Sequence, residues 1–162
     1  SARNMAEEKT NVMRLLDQKK VPYIPHYYAC PDGAVDGVSV AARIGKDAGA
    51  VFKTLVTQGA TVKYYVFVVP VMSELDRKAA ARAVREKSIE MIRQAQLLPL
   101  TGYVHGGCSP LGMKKQFTTV LDESARGRET MTVSAGRIGA QVELAPDDLC
   151  RLSRGSFAPV GK

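Results

Sequence analysis

Apolar residues recur at helical spacing between Thr10 and Lys20: Val12, Leu15 and Leu16 share a face, with the stem of Lys19 at its edge. Thr10 or Asn11 can cap this helix, and Pro22 ends it. Tyr23–Tyr28 (YIPHYY) then reads as a short strand at a sheet edge, because Pro25 removes a ladder donor. CPDGAVDG is a loop by its Pro and Gly content, and Ser39–Ile44 a short helix capped by Ser39 and closed by Gly45. The clearest pattern is a hairpin of two β-branched and aromatic runs, Val51–Thr57 and Val62–Pro70, separated by QGA.

The spacing predicts a further helix over Glu74–Arg85, with Ser73 as cap and Asp76 at the capping-box position. Ser88–Met91 reads as a short strand, and Arg93–Leu98 as a helical turn stopped by Pro99. Phe117–Leu121 is a strand, and Glu129–Ser134 with Ala140–Leu144 a hairpin around AGRIG. Pro146–Leu152 is a last helix, with Pro146 in its first turn and Asp147 and Asp148 near the positive end of its dipole. From Gly155 the chain reads as a frayed tail. Strands outnumber helices and interleave with them, so the expected class is α/β (α+β): a curved mixed sheet covered by helices.

Composition narrows this picture. The chain has 162 residues, enough for one domain with a real core, and no apolar run nears the roughly 18 residues of a membrane span. SARNM at the start reads as an expression scar with the natural start at or near Met5, residues 5–155 as one domain and 156–162 as tail. Lys and Arg number 23 against 16 Asp and Glu, a formal charge of +7, which favours an anionic partner, nucleic acid first. Cys30, Cys108 and Cys150 are odd in number and far apart, and with two histidines they match no zinc spacing. A cytoplasmic protein without metal or cofactor is the expectation.

Candidate chemistry centres on Leu100–Lys115, where Gly102, Gly106, Gly107 and Gly112 fall within eleven residues and Pro110 stiffens the middle. Glycines let backbone amides approach a ligand closely, so the stretch suits a polar ligand held through its main chain; a plain turn between strands is the alternative. Neither G-x-x-x-x-G-K-[ST] nor G-x-G-x-x-G is present. Ser109 lacks a G-x-S-x-G setting, a Cys108–His105 pair is conceivable, and Tyr27 or Tyr28 could donate a hydroxyl. Lys53 lies inside the first hairpin strand, where position alone favours a solvated side chain over one aimed into a cleft.

The segments FKTL (Phe52–Leu55), VVPV (Val68–Val71), TGYVHGGCSPLG (Thr101–Gly112) and SAGRIG (Ser134–Gly139), in this order, resemble the YbaK/EbsC family of prolyl-tRNA-synthetase-associated editing domains. The similarity runs from about Thr10 to Leu152 and is nearest the free-standing YbaK type, the Cys-tRNA(Pro) deacylases. The resemblance implies a mixed, barrel-like β-sheet flanked by helices with a central pocket. It implies that Lys53 is the essential lysine and Tyr28 the tyrosine at the pocket mouth. Phe52 and Thr54 beside the lysine, and Gly106, Gly107, Ser109 and Pro110 in the glycine loop, would bind substrate. Gln141 stands where the YbaK pattern has an aspartate; it can hydrogen-bond but cannot act as a base or carry charge.

The resemblance also accounts for the missing triad. An aminoacyl-tRNA ester is already activated, and a cysteinyl substrate brings its own thiol, so the protein mainly positions the reacting groups. Three functions remain: a trans-editing deacylase for Cys-tRNA(Pro), and also Cys-tRNA(Cys); a deacylase for another small residue such as alanine; or a non-catalytic tRNA- or synthetase-binding relative. The partner implied is the acceptor end of an aminoacyl-tRNA, with prolyl-tRNA synthetase as a second candidate. Lys114, Lys115, Arg126, Arg128 and Arg137 are the candidate phosphate contacts.

Overall fold

The computed structural model describes residues 8–162; the reading of SARNM lies outside them. The helices are α1 (Asn11–Gln18), α2 (Gly37–Arg43), α3 (Arg77–Val84), α4 (Gln94–Thr101) and α5 (Pro146–Ser153). The strands are β1 (Ile24–Tyr27), β2 (Phe52–Gly59), β3 (Tyr64–Pro70), β4 (Ile89–Met91), β5 (Thr118–Asp122), β6 (Met131–Arg137), β7 (Ala140–Leu144) and β8 (Ser156–Ala158). They form a three-stranded sheet, β1-β7-β6, and a mixed five-stranded sheet, β4-β2-β3-β5-β8.

Strand β3 is central because both of its faces are buried. Val66 and Val68 pack with Phe52 and Val56, with Val12, Met13 and Leu16 of α1, and with Met131, Val133, Val142 and Leu144 of the smaller sheet. Tyr65, Phe67 and Val69 pack on the other side with Ala80 and Ala81 of α3 and with Ile89, Val120 and Val160. A strand covered twice reads as a continuous apolar run, which is the pattern of YYVFVVP. The buried stripe of α1 includes Met13, while Lys19 is an exposed C-cap rather than part of the apolar face.

The two sheets meet at one parallel bridge, Val51 to Thr132, with the Thr132 N–H donating to the Ala50 carbonyl (3.0 Å). On the same side, β4 covers β2 only from Thr57 to Gly59. Val71 N–H donates to the Val51 carbonyl and Gly59 N–H to that of Lys63 (both 2.8 Å), so the odd-numbered residues of β2 turn their backbone toward β3. The even-numbered ones turn it away; Val56 accordingly accepts from Ile92 N–H (3.3 Å). Between the bridge and β4, the backbone of Thr54 therefore faces an edge with no neighbouring strand.

Several expected boundaries move for identifiable reasons. Helix α2 starts at Gly37, capped by Asp36, whose carboxylate accepts from the Ser39 N–H (2.9 Å) and hydroxyl (2.9 Å); Ser39 is not the cap. Helix α3 starts at Arg77 with Asp76 as cap, not Ser73, because Glu74 and Leu75 are held extended against Lys162 and Gly161. Helix α4 runs through Pro99 to Thr101, losing one amide bond while the Thr101 hydroxyl donates to the Leu97 carbonyl (2.7 Å). Strand β6 continues past Ser134 to Arg137 through a bulge.

The largest correction concerns residues 155–162, which are integral to the fold rather than a frayed tail. Strand β8 pairs in parallel with β5, and Val160 is fully buried. Asp122 at the end of β5 clasps the returning chain: its Oδ1 accepts from the N–H groups of Val160 (2.9 Å) and Gly161 (2.8 Å), and its Oδ2 from that of Ser124 (3.2 Å). Among the described residues no helix is long and apolar enough to cross a membrane.

Bonds from amides to a buried carboxylate are charge-assisted, so their loss is costly. Asp122→Ala should therefore lower unfolding free energy by about 2–3 kcal/mol, with Asp122→Asn between it and wild type. Urea denaturation followed by circular dichroism checks this; equal midpoints for Asp122→Ala and wild type would show that the clasp is dispensable.

Candidate active site

The unpaired edge of β2 opens onto a cavity of about 310 Å³, at the small end of ligand pockets. Phe52, Lys53 and Thr54 line it from β2, and Ser134 and Gln141 from the neighbouring rungs of β6 and β7. His105, Gly106 and Cys108 close it from the glycine-rich loop, and Asp36 and Gly37 from the start of α2. Alternation along β2 sends Phe52, Thr54 and Val56 to one face and Lys53 and Leu55 to the other. Lys53 lines this cavity and also the groove beside α3. It is half-buried and makes no ion pair among the described residues.

Two glycines explain how the loop reaches the cavity. Gly106 has φ +86°, and a Cβ there would stand 2.6 Å from the Cβ of Ala34. A Cβ on Gly107 would stand 3.0 Å from the Ile138 nitrogen, in the turn between β6 and β7. The loop is thus wedged between the segment before α2 and the β6–β7 turn, and no side chain fits at either position.

Not every predicted site residue reaches the cavity. Phe52, Lys53, Thr54, Gly106 and Gln141 line it, whereas Gly107, Ser109, Pro110 and Tyr28 do not. Ser109 is fully buried, and its Oγ accepts the Leu111 N–H (3.3 Å), so it shapes the loop from within. Tyr28 is buried beside the β6–β7 turn, where its N–H donates to the Gly139 carbonyl (3.0 Å). None of Lys114, Lys115, Arg126, Arg128 and Arg137 lines the cavity. Arg126 lies over the Phe157 ring (5.3 Å) and near Glu123 (3.5 Å), and Arg128 lies 3.9 Å from Asp47.

The polar character of the cavity is specific. Thr54 Oγ1 and Gln141 Oε1 are buried oxygens without a hydrogen-bond partner among the described residues, a state that costs on the order of 1–3 kcal/mol each when nothing satisfies them. Burial pushes the Cys108 thiol up to about 12, against a weaker lowering by a hydrogen bond with Thr101, so it stays protonated at neutral pH. No hydrogen bond joins it to His105 among the described residues, and the conceivable Cys–His pair is not formed. The cavity therefore offers a cation, hydrogen-bonding oxygens and backbone groups, and no activated nucleophile.

Beneath Gln141 lies a charged cluster that the sequence reading did not single out. Glu143, two residues along β7 and on the same face, meets Lys46 Nζ (2.8 Å), His26 Nε2 (2.8 Å) and the Thr130 hydroxyl (2.5 Å). Burial alone would raise the Glu143 carboxyl, but the hydrogen bonds from Lys46, Thr130 and His26 outweigh it and hold the group at about 2. Alternation of Gln141 and Glu143 on a strand with Ser134 and Thr132 opposite was the available signal for a buried polar face.

The aminoacyl-tRNA editing domain model matches residues 33–152. A protein of Enterococcus faecalis provisionally named Cys-tRNA(Pro)/Cys-tRNA(Cys) deacylase EbsC is 43% identical over 159 residues, covering 98% of this chain and 97% of its own. A solved structure provisionally described as a trans-editing enzyme for prolyl tRNA synthetase superposes with a TM-score of 0.79 at 21% identity, covering 96% of this chain and 99% of the other. The hypothetical protein APE2540 gives 0.82 at 20% identity, covering 93% and 99%. Both likenesses establish a shared fold.

The Glu143 cluster makes a pH prediction. Its folded carboxyl titrates below the ordinary 4.5, so its contribution to stability is complete above that pH and is lost as pH falls toward about 2. Glu143→Gln should be less stable than wild type at pH 7, and the gap should narrow between pH 4.5 and 2. Thermal melts across that range check it; a gap that stays constant would remove the ion pairs as its cause.

Proposed function

The chain belongs to the aminoacyl-tRNA editing domain family, and from that premise we propose that it deacylates mischarged Cys-tRNA(Pro), and also Cys-tRNA(Cys), in trans. The observation that carries the reading is the edge-strand cavity itself: it is lined by Lys53, which makes no ion pair among the described residues, and by Thr54 and Gln141, whose buried oxygens have no partner among them. A ribose or phosphate suits the lysine, which acts as a point charge, and the donors of an aminoacyl ester suit the two oxygens.

The chemistry follows from what the cavity lacks. With Cys108 held as a thiol and Ser109 buried in its own loop, the attacking group comes from the substrate or from water. In a cysteinyl ester the substrate sulfur attacks the carbonyl carbon, the bond to the ribose oxygen breaks, and that oxygen takes up a proton. The protein's contribution is orientation, an effect that can reach on the order of 7 kcal/mol or more. The backbone N–H of Thr54 and the amides near Gly106 are the donors available to a carbonyl oxygen as charge develops on it. Tyr28, Gly107, Ser109 and Pro110 support the loop and turn that form the cavity wall. Prolyl-tRNA synthetase is the proposed source of the mischarged tRNA, and the cytoplasm the proposed place of reaction.

Deacylation of a small panel of mischarged tRNAs tests the reading, with Cys-tRNA(Pro) expected to be cleaved faster than Ala-tRNA(Pro). Lys53→Ala should lower kcat/KM at least about 100-fold, equivalent to nearly 3 kcal/mol of transition-state stabilisation, with an unchanged circular dichroism spectrum. Cys108→Ala and Cys30→Ala should retain activity, and Ser109→Ala should cost roughly 1 kcal/mol through its lost hydrogen bond. Seryl-tRNA(Pro) should react far more slowly than the cysteinyl ester, because a hydroxyl is scarcely ionised near neutral pH. Comparable rates for the two would replace thiol attack with an activated water, and full activity of Lys53→Ala would remove the lysine from the mechanism.

A further inference from the structure

Resting on the deacylase reading, we infer that the exposed face of α3 is the seat of the tRNA acceptor stem, and that the groove between α3 and β2 leads its 3′ end to Lys53. The groove adjoins the cavity at β2, where Lys53 and Leu55 line both. From there it runs past Met91 to Arg77 and Lys78 at the start of α3 and to Lys162 at the end of the chain. Four cations face it against two acids, Glu74 and Asp76, and Asp76 is engaged in capping α3.

The helix itself carries the stronger sign. Lys78 and Arg82 stand at i and i+4 on one face of α3, Arg85 follows as its left-handed C-cap, and all three are exposed. Among the described residues none of them makes an ion pair; the one paired cation of this helix is Arg77, with Glu90 (3.0 Å). The nearest acid in sequence, Glu86, turns inward to the Tyr65 hydroxyl (2.6 Å) and the Thr61 N–H (3.1 Å). Like charges one turn apart repel. The helix dipole compensates for Arg82 and Arg85 near the C-terminus but opposes Arg77 and Lys78 in the first turn, where the one adjacent carboxylate, that of Asp76, is engaged as the N-cap. Closely spaced phosphates relieve both penalties, and a polyanion leaving the cavity at Lys53 meets this ridge along the groove. Lys114 and Lys115, on the glycine-loop side, line neither the cavity nor this groove.

The test is binding of uncharged tRNA(Pro), read by fluorescence anisotropy and independent of catalysis. Lys78→Glu/Arg82→Glu/Arg85→Glu should weaken Kd at least about tenfold and flatten the log–log salt slope by about 2 to 3, the loss expected for three phosphate contacts. The Gln triple variant should shift both in the same direction by less, which guards against a folding defect in the reversed helix. Lys114→Glu/Lys115→Glu should weaken Kd by less than the α3 variant; an equal or larger loss would place the stem on the glycine-loop side and overturn the inference. With Cys-tRNA(Pro) as substrate the α3 variant should raise KM and keep kcat, while cysteine esterified to adenosine should be cleaved at the wild-type rate. An unchanged Kd in the Glu and Gln variants overturns the inference, and if binding to prolyl-tRNA synthetase is lost instead, the ridge serves a protein. A wild type that cleaves no ester but shows the predicted Kd changes would sink the deacylase reading and leave this surface standing.

Discussion

Between the Val51–Thr132 bridge and the short ladder to β4, strand β2 has no neighbour on one side, and the site depends on that gap. A paired strand here would fill the cavity and bury the Thr54 amide and carbonyl in a ladder. An exposed edge is ordinarily a hazard, since it invites another strand. In this chain the edge is shielded by Gly106 and Cys108 from the loop and by the start of α2. Lys53, which alternation assigns to the far face of the sheet, lines the same cavity as Thr54 and Gln141.

The parts of the fold that were legible in the sequence are those governed by local pattern. The β2–β3 hairpin, the β6–β7 hairpin, α1 and α5 follow from periodicity and punctuation within the segments themselves. The α2 start and the passage of α4 through Pro99 turn on local hydrogen bonds, but the larger misplacements involve long-range contacts. Glu74 and Leu75 look helical by composition but are pulled extended by Lys162 and Gly161, far away in sequence. The same pairing orders residues whose own polar, glycine-containing sequence reads as a tail. Position alone assigned Lys53 to solvent, because nothing local to FKTL states that β2 lacks a neighbour there. The family resemblance supplied that residue; the structure puts it in the wall of the cavity.

The buried polar face of the smaller sheet shows how the cavity floor is held. Gln141 and Glu143 project from β7 on one side, with Ser134 and Thr132 opposite and His26 on β1. Glu143 is saturated by three partners, while Gln141 Oε1 has none among the described residues. A rigid, fully paired carboxylate next to an unsatisfied amide is an arrangement that fixes the backbone under the cavity and leaves its hydrogen-bonding capacity there. The neutral amide also keeps a second negative charge away from the Glu143 cluster and from a ligand that is itself anionic.

The Asp122 clasp has a consequence for how the chain is made. Synthesis runs from the N-terminus, and the edge of β5 stays open until residues 156–161 have left the ribosome. Until then the nascent domain presents an unpaired parallel edge flanked by Val120 and Leu121, and α3 lacks the Val160 and Gly161 contacts that anchor its entry. A domain of this kind closes only once residues 156–161 arrive, so its exposure to aggregation and to chaperones is concentrated in the interval before they do. A truncation before Ser156 would leave a chain that cannot seal its own sheet.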